Sequence, residues 1–322
     1  MGKQKILISH EEVPEKALII LKNKYELIVC PGMPYPSREQ FLKDIKGTVG
    51  VLLYSKHKID EEVIDAAGPD LKVIASMSAG YDNIDVPLLT SRNIKASNTP
   101  GVLSNCVAEV AVGLVLSTLR RLNEGYQIIL SDRWETGRIQ WMLGQSLEGS
   151  TVGIVGLGNI GCAIAKRLKA FDLGRLLYSG RTEKLEAQEL GAEFMVLDEM
   201  LKVSDVVVIS CALTSDTKHL FNKDKFKLMK PTSIIVNISR GEVIDQVALV
   251  EALQNKTIWG AGLDVMTPEP IEADHPLTKI PTCVLSPHVG SATIETRTAM
   301  AELAATNIYN ALNGLPLLTP IN

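Results

Sequence analysis

Short apolar runs rich in β-branched residues alternate along the chain with longer segments of helical character. Near-continuous apolar runs are typical of parallel strands buried on both faces, and the helical segments between them are typical of crossover connections. The predicted strands are KILIS, ELIVC, GVLLY, KVIASM, TVGIVG, RLLYS, VVVIS, SIIVNIS, WGAGLDV and CVLSPH. Two successive series of this kind predict an α/β protein with two doubly wound parallel-sheet domains and a cleft between them.

The predicted division between the domains falls near a long apolar helix. The first series of strands ends near Asn105, and a helix predicted over 108–122 leads into the second series. Another strongly helical segment, 292–314, ends at the stop signals Gly314 and Pro316. By itself, this last helix belongs to neither series.

The composition of the chain excludes some classes of function. The chain has 322 residues and a formal net charge of −4, so it lacks the basic excess typical of proteins that bind nucleic acid or anionic membranes. The five cysteines are scattered without metal-type spacing, which favours reduced thiols in a cytoplasmic protein without a metal centre. The apolar segment 110–119 is too short to span a bilayer, and the N-terminus predicts a first strand rather than a signal peptide.

A glycine-rich loop follows the strand TVGIVG and precedes a helix. Gly156, Gly158 and Gly161 form the pattern G-x-G-x-x-G. In a strand–loop–helix unit the first glycine permits a tight turn, the second admits a pyrophosphate to the backbone, and the third lets helix and strand pack closely. The diphosphate is expected at the positive end of the helix, beside Asn159 and Ile160. The pattern therefore predicts a dinucleotide site in the second domain.

The end of the next strand indicates which dinucleotide binds. NAD-binding units of this type carry an acidic residue there, about 20 residues after the loop, but this chain has Ser179, Gly180 and Arg181. The missing carboxylate removes a group that would repel a 2′-phosphate, and Arg181 and Thr182 can donate hydrogen bonds to one. The sequence therefore favours NADPH, with NADH as the alternative cofactor. Arg181 as a solvated surface residue is the other interpretation.

Four charged side chains follow three later strands of the second domain. Arg240 comes first, Asp264 and Glu269 follow the next strand, and His288 follows the last. These strands are predicted over 232–239, 258–265 and 283–287. Ligands of doubly wound sheets bind beyond the carboxyl ends of the strands. An arginine can bind a carboxylate and polarise the neighbouring carbonyl, and a histidine beside a carboxylate is a general acid or base. Each residue alone has a structural alternative, but together they predict reduction of a carbonyl without a metal.

Six motifs resemble the D-isomer-specific 2-hydroxyacid dehydrogenases, above all the glyoxylate reductase/hydroxypyruvate reductase branch. In chain order they are SAGYDNIDV, NTPGVLSNCVAE, VGIVGLGNIG, NISRGEVID, GLDVMTPEP and SPHVGSAT. The resemblance implies Rossmann- and flavodoxin-like domains. One is a discontinuous substrate-binding domain of residues 1–106 and 294–322, and the other is a dinucleotide-binding domain of residues 107–293.

The resemblance also implies a role for each residue of the site. Arg240 binds the carboxylate and carbonyl of the substrate, His288 donates the proton in reduction, and Glu269 is the partner of His288. The backbone of the turn Ser78, Ala79 and Gly80 receives the substrate carboxylate. The implied cofactor contacts further along the chain are Cys211, Ile238, Asp264, which faces the nicotinamide carboxamide, and Gly290. The chain departs from the family at Ser210-Cys211-Ala212, where many members carry His-x-Pro.

Two apolar residues are candidates for substrate selection. The segment 131–149 resembles part of the family's dimer interface, which implies a homodimer. Trp141 in this segment either reaches the substrate pocket of the partner subunit or packs within the interface. Leu53, at the end of GVLLY, either faces the pocket or packs in the core.

The implied function is NADPH-dependent reduction of glyoxylate or hydroxypyruvate to glycolate or D-glycerate. Another substrate of the same framework, such as phosphoglycerate, a lactate-type acid or a broad range of 2-keto acids, stays open. A protein of a different class, a corepressor-like dinucleotide sensor, shares the fold, although Ser179 and Arg181 depart from an NADH-sensing site. Formate dehydrogenase relatives pair the histidine with glutamine, which Glu269 disfavours.

Overall fold

A computed structural model describes residues 2–54 and 57–322. Its internal contacts divide the chain into two compact units, residues 1–103 with 291–322 and residues 104–290. They are called unit 1 and unit 2 below. The resemblance implies divisions at 106/107 and 293/294, whereas the contacts divide the chain at 103/104 and 290/291.

Unit 1 contains a five-stranded sheet whose strands are all parallel. The strands are β1 (Lys5–Ile8), β2 (Glu26–Val29), β3 (Thr48–Leu53), β4 (Val73–Ser76) and β5 (Lys95–Ser97), in the order β2-β1-β3-β4-β5. The helices are α1 (Glu15–Lys22), α2 (Arg38–Asp44), α3 (Glu61–Ala67), α4 (Val86–Ser91) and α13 (Ile294–Leu312). Helix α13 lies close to the sheet, because a Cβ at Gly50 would be 3.2 Å from Ile308 Cγ2.

The C-terminal tail, residues 318–322, runs along the outer edge of β5. Ser97 and Pro320 form an antiparallel bridge, and the Ile321 N–H donates to Ala96 O at 3.0 Å. The fully buried Asn307 of α13 holds the start of the tail, because its Oδ1 accepts the Leu318 N–H at 2.7 Å. The tail therefore extends the sheet beyond its last parallel strand.

Unit 2 contains a seven-stranded sheet that is also entirely parallel. The strands are β6 (Thr151–Val155), β7 (Arg175–Ser179), β8 (Glu193–Phe194), β9 (Val206–Ile209), β10 (Ile234–Asn237), β11 (Gly260–Leu263) and β12 (Cys283–Leu285), in the order β12-β11-β10-β9-β6-β7-β8. The helices are α5 (Ser104–Leu119), α6 (Leu122–Leu130), α7 (Asn159–Leu168), α8 (Glu186–Leu190), α9 (Leu197–Val203), α10 (Lys223–Leu228), α11 (Gln246–Gln254) and α12 (Pro276–Lys279). The strand order reverses between β6 and β9, and ligands of such sheets bind where this reversal occurs.

The two parallel sheets confirm the predicted α/β class, but several elements differ from their predicted bounds. The helix predicted over 108–122 ends at Leu119, and α6 follows it after Arg121, whose φ is 54°. The short strands β5 and β8 are not predicted from the sequence because their residues are too few and too polar to form an apolar run. Within residues 2–54 and 57–322, no helix combines the length and apolar character needed to cross a lipid bilayer.

Candidate active site

The glycine loop of unit 2 lies at the reversal of strand order, between the ends of β6 and β9. Gly156 has a φ of 94°, and a Cβ there would lie 2.8 Å from both Cα and N of Cys211. The Ser210 hydroxyl donates to Gly156 O at 2.6 Å. Only glycine fits this turn, because the positive φ and the close approach of β9 both exclude a side chain.

The same loop leaves open space at the start of α7. Gly158 is the N-cap of α7, and no heavy atom lies within 4 Å of a Cβ placed on it. A Cβ at Gly161 would lie 2.2 Å from Gly156 O, so the first turn of α7 packs tightly on the loop. Asn159 is exposed and Ile160 half-buried at the helix start. The first N–H groups of a helix have no partner within the helix, and beside an open space they fit a diphosphate, so these residues are suited to hold a dinucleotide.

The turn after β7 lies next to this loop. The Gly156 N–H donates to Ser179 O at 2.8 Å, and Ser179 is buried. Arg181 and Thr182 are exposed beyond the strand end. The position that carries an acid in NAD-specific sites is therefore a buried serine, followed by an exposed arginine and threonine.

His288 and Glu269 form a pair in unit 2. His288 Nδ1 lies 2.9 Å from Glu269 Oε2, and the other carboxylate oxygen accepts the Met266 N–H at 3.1 Å. The Glu269 side chain is 18% exposed, whereas that of His288 is 47% exposed. The carboxylate therefore fixes the imidazole through Nδ1, and Nε2 is the ring nitrogen suited to exchange a proton with a ligand.

Asp264 anchors the turn that carries His288. His288 has a φ of 54°, a conformation that a non-glycine residue adopts only when its surroundings hold it there. Asp264 is almost fully buried, and its Oδ1 accepts the Ser286 hydroxyl at 2.5 Å and the Val289 N–H at 2.9 Å. Its Oδ2 accepts the Gly290 N–H at 2.8 Å. The carboxylate thus holds the turn on both sides of the histidine.

Arg240 begins a turn that the side chain of Asn237 organises. The Asn237 amide donates to Arg240 O at 2.9 Å, and its oxygen accepts the Ser239 N–H at 3.0 Å. The guanidinium Nη1 donates to Ser239 O at 2.8 Å. A Cβ at the next residue, Gly241, would lie 2.2 Å from Met266 O. The arginine turn therefore packs directly against the segment that leads to Glu269.

The predicted carboxylate turn belongs to unit 1. Ser78, Ala79 and Gly80 are half-buried after β4. The Asn98 amide donates to Ala79 O at 2.7 Å, and the Thr99 N–H donates to Ser78 O at 2.9 Å. Their carbonyls are thus held by the segment after β5.

The remaining predicted residues differ in their exposure. Leu53 is 1% exposed and lies in the core of unit 1. Ile238 is buried at the end of β10 and Cys211 is half-buried after β9. Burial raises the pKa of the Cys211 thiol to about 11. Trp141 is half-buried within the irregular segment that follows α6. In the part of the chain that the structure describes, no group of three or more His, Cys, Asp or Glu side chains is placed to hold a metal ion.

Three polar side chains that hold loops carrying predicted site residues, one in unit 1 and two in unit 2, are absent from the predicted set. They are Asn98, Asn237 and Gln246, and each binds the backbone of a neighbouring loop. The two asparagines lie within the motifs NTPG and NISRG, so the sequence motifs could have indicated them. Gln246 opens α11, and its contact with a distant loop depends on tertiary structure that no local pattern encodes.

Comparisons with known proteins give a consistent result. A family model described as D-isomer specific 2-hydroxyacid dehydrogenase, NAD binding domain, matches residues 112–290. A glyoxylate reductase from Thermococcus onnurineus is 44% identical over 317 residues, covering 97% of this chain and 94% of that protein. A glyoxylate reductase/hydroxypyruvate reductase from Homo sapiens is 44% identical over 285 residues, covering 88% of this chain and 87% of that protein.

A solved structure extends the similarity to the fold. The NADPH-dependent glyoxylate/hydroxypyruvate reductase from Sinorhizobium meliloti, in complex with NADP and malonate, matches with a TM-score of 0.83 and 33% identity. The match covers 99% of this chain and 97% of that chain. The segment matched by the NAD-binding family model lies entirely within unit 2.

Proposed function

Because this chain belongs to the D-isomer-specific 2-hydroxyacid dehydrogenase family, and is thus an NAD(P)-dependent dehydrogenase, we propose that it reduces glyoxylate and hydroxypyruvate with NADPH. The products are glycolate and D-glycerate. The observation that carries the proposal is the 2.9 Å contact between His288 Nδ1 and Glu269 Oε2, an arrangement suited to a general acid.

Three side chains of unit 2 carry the proposed chemistry. The reduced nicotinamide, when bound, supplies the hydride that the carbonyl carbon of the substrate accepts. His288 donates a proton to the carbonyl oxygen, so that the developing alkoxide is neutralised as it forms. Glu269 stabilises the protonated imidazole and orients its Nε2. Arg240 binds the substrate carboxylate and polarises the adjacent carbonyl.

The placement of these groups on loops anchored to a rigid sheet supports their role. Asp264 fixes the turn of His288, Asn237 fixes the turn of Arg240, and Met266 fixes Glu269. Catalytic groups need such support because small errors in position cost much of the rate. In unit 1, the turn Ser78–Gly80 is the proposed receptor for the substrate carboxylate, since small residues let a ligand approach backbone N–H groups.

A matrix of initial rates tests the substrate and the acid. NADPH and NADH are each combined with glyoxylate, hydroxypyruvate, pyruvate and phosphohydroxypyruvate. We expect the highest kcat/KM for glyoxylate or hydroxypyruvate with NADPH, and a loss of at least about 100-fold in kcat for His288→Ala. Equal rates with all four keto acids would indicate a broad 2-keto acid dehydrogenase, and wild-type turnover of His288→Ala would refute the assignment of the acid.

The cofactor preference rests on the turn after β7. Ser179 brings no negative charge to the 2′ position, and the exposed Arg181 and Thr182 can donate to a phosphate. Removing one charge-assisted hydrogen bond costs about 1.5–3 kcal/mol, so Arg181→Ala is expected to raise the KM for NADPH roughly 10- to 100-fold. The KM for NADH is expected to stay the same.

The matched control for this test lies on the same strand. Arg175 is also exposed, but it lies at the opposite end of β7, where it pairs with Glu193 at 2.8 Å. Arg175→Ala is expected to change neither KM. If Arg181→Ala raised the KM for both cofactors equally, the preference for NADPH would have to be explained by other residues.

An apolar face of α6 supports the proposed homodimer. Leu122, Tyr126, Ile129 and Leu130 are all exposed on this helix, and Trp134 follows at 66% exposure. Residues three, four, seven and eight positions apart lie on one side of a helix, and an exposed apolar patch of this kind typically marks an interface. A second copy of the chain is the proposed partner.

Charge on this face tests the dimer. Ile129→Glu is expected to convert the dimer to a monomer in sedimentation velocity experiments, whereas Ile294→Glu, on a still more exposed residue of unit 1, is expected to leave it intact. A wild-type chain that sediments as a monomer would contradict the proposal.

If Trp141 reaches the substrate pocket, Trp141→Ala changes the preference among keto acids in the rate matrix. An unchanged preference would assign Trp141 to packing.

A further inference from the structure

The loop that carries Glu269 is held at a second point by Gln246, the first residue of α11. The Gln246 Oε1 accepts the Thr267 N–H at 2.9 Å, and the Gln246 Nε2 donates to Thr267 O at 2.6 Å. One side-chain amide therefore binds both polar groups of a single backbone residue. Its oxygen and nitrogen are assigned without ambiguity, because Thr267 presents one donor and one acceptor.

Gln246 is itself rigidly placed. The Asp245 carboxylate caps α11 by accepting the N–H groups of Val247 and Ala248 at 3.1 and 3.2 Å. The helix packs into the core of unit 2 through Leu249 and neighbouring apolar residues. The Gln246 Nε2 also lies 3.2 Å from Nε2 of His275, the N-cap residue of α12. The amide thus lies between two fixed elements, which restricts its rotamer.

The loop needs such a restraint because little else covers it. Thr267 and Pro268 are exposed, and Glu269 is only partly buried. Two hydrogen bonds connect this segment to His288. The N–H of Met266, the neighbour of Thr267, donates to Glu269 Oε1, and Glu269 Oε2 is bonded to His288 Nδ1. Gly241 lies against the same segment from another side, with an added Cβ 2.5 Å from Thr267 Oγ1.

We infer that Gln246 is a positioning residue of the reaction, which sets the orientation of Glu269, and through it of His288, by clamping the backbone of Thr267. The inference rests on the proposed roles of Glu269 and His288. The side chain of Gln246 is bonded to the backbone of Thr267 and lies beside His275, so its contribution passes through the loop that carries the Glu269 carboxylate. At metal sites, residues that support the ligands in this way are worth about 10- to 100-fold in metal affinity or activity, and we take the same order of magnitude here.

A double-mutant cycle separates this role from a merely structural one. Gln246→Met keeps the length of the side chain and removes both hydrogen bonds, and we expect kcat for glyoxylate reduction to fall roughly 10-fold. Glu269→Gln is expected to lower kcat roughly 100-fold. If Gln246 acts through Glu269, the double variant falls no further than Glu269→Gln alone, because residues that act as a unit are not additive.

The controls keep the outcomes distinct. Gln254→Met changes the same residue type at the exposed far end of α11 and is expected to leave kcat within about twofold of wild type. NADPH affinity, measured by fluorescence titration, is expected to stay unchanged in Gln246→Met. If that variant is unfolded at the assay temperature, Gln246→Glu takes its place in the cycle, since it keeps the acceptor for Thr267 and loses the donor.

Two results would overturn the inference. One is an unchanged kcat in folded Gln246→Met, and the other is a double variant whose loss is the product of the two single losses, roughly 1,000-fold. Either result leaves the proposed function intact as long as Glu269→Gln is impaired. Wild-type kcat in Glu269→Gln alone would instead refute the proposed role of Glu269, and the inference with it, whereas a wild-type chain without glyoxylate or hydroxypyruvate reduction would refute the proposed function.

Discussion

Gly241→Ala is expected to damage the site through a single added carbon. The new Cβ would lie 2.2 Å from Met266 O and 2.3 Å from Met266 C, whereas a carbon and an oxygen in contact are ordinarily about 3.3 Å apart. The arginine turn and the segment leading to Glu269 must therefore separate by about 1 Å. Gly241 does not have a positive φ, so the expected effect comes from the close contact with Met266 and not from backbone strain.

This displacement is expected to lower both the stability of the protein and the rate of the reaction. Overpacking of this kind costs about 1–3 kcal/mol, and each kcal/mol lowers the Tm of a domain this large by about 2–4 °C. The moved backbone includes the Met266 N–H that holds Glu269, and a shift of about 1 Å at catalytic groups can cost about 100-fold in rate. We therefore expect a lower Tm and a kcat/KM for glyoxylate reduced by roughly this factor.

Thermal unfolding and initial rates of NADPH oxidation measure the two effects. Gly113→Ala is the matched control, because Gly113 lies within α5 and no heavy atom lies within 4 Å of its added Cβ. This control is expected to raise stability by up to about 1 kcal/mol with unchanged turnover. If Gly241→Ala kept the Tm of the wild type and a kcat/KM within about twofold, the close contact would not restrain the two loops, and the reasoning would be wrong.

Three further outcomes follow from contacts at the carboxyl ends of the strands in unit 2. Gly158→Ser is expected to keep the Tm, because serine is a favourable N-cap, but to raise the Kd for NADPH roughly tenfold by occupying the open space beside α7; an unchanged Kd in titrations would place the diphosphate elsewhere. Asp264→Asn is expected to destabilise the protein by about 1–3 kcal/mol and to lower kcat, because one amide N–H must face the N–H of Val289 or Gly290; a Tm equal to wild type would refute this. Burial raises the pKa of Cys211 to about 11, so the thiol stays protonated at neutral pH. Its alkylation by iodoacetamide, followed by peptide mass spectrometry, is expected to be roughly 100-fold slower than that of a free thiol and to accelerate as the pH rises. Rapid modification at pH 7 would contradict this expectation.

The sequence was most informative where the signal is local. The long buried strands have near-continuous apolar runs. An added Cβ would clash at Gly156 and Gly161, whereas Gly158 faces open space. The strands predicted over 232–239 and 258–265 are shorter in the structure, at Ile234–Asn237 and Gly260–Leu263. At the end of β10, the chain turns because the side chain of Asn237 binds the backbone of Ser239 and Arg240.

The rest of the site could not be predicted because it depends on contacts between distant segments. Gln246 and Thr267 are joined only when α11 and the loop after β11 come together. The motif NISRGEVID does not predict the close contact between Gly241 and Met266 either, because a glycine at this position is compatible with any tight turn. Helix α6 differs from these contacts, because its apolar residues recur at helical spacing and the sequence therefore carries a local signal for it.

The tail along β5 has a consequence for the behaviour of the protein in solution. An edge strand presents unpaired N–H and C=O groups to which a strand of another molecule can add, and this addition is a common route to aggregation. Here the bridge between Ser97 and Pro320 and the bond from Ile321 to Ala96 occupy that edge. Proline has no N–H to donate, so the covering segment offers a poor template for further pairing at that position. The residues after α13 thus protect the chain from sheet growth between molecules, and a chain shortened by residues 318–322 should aggregate on warming before the full chain does.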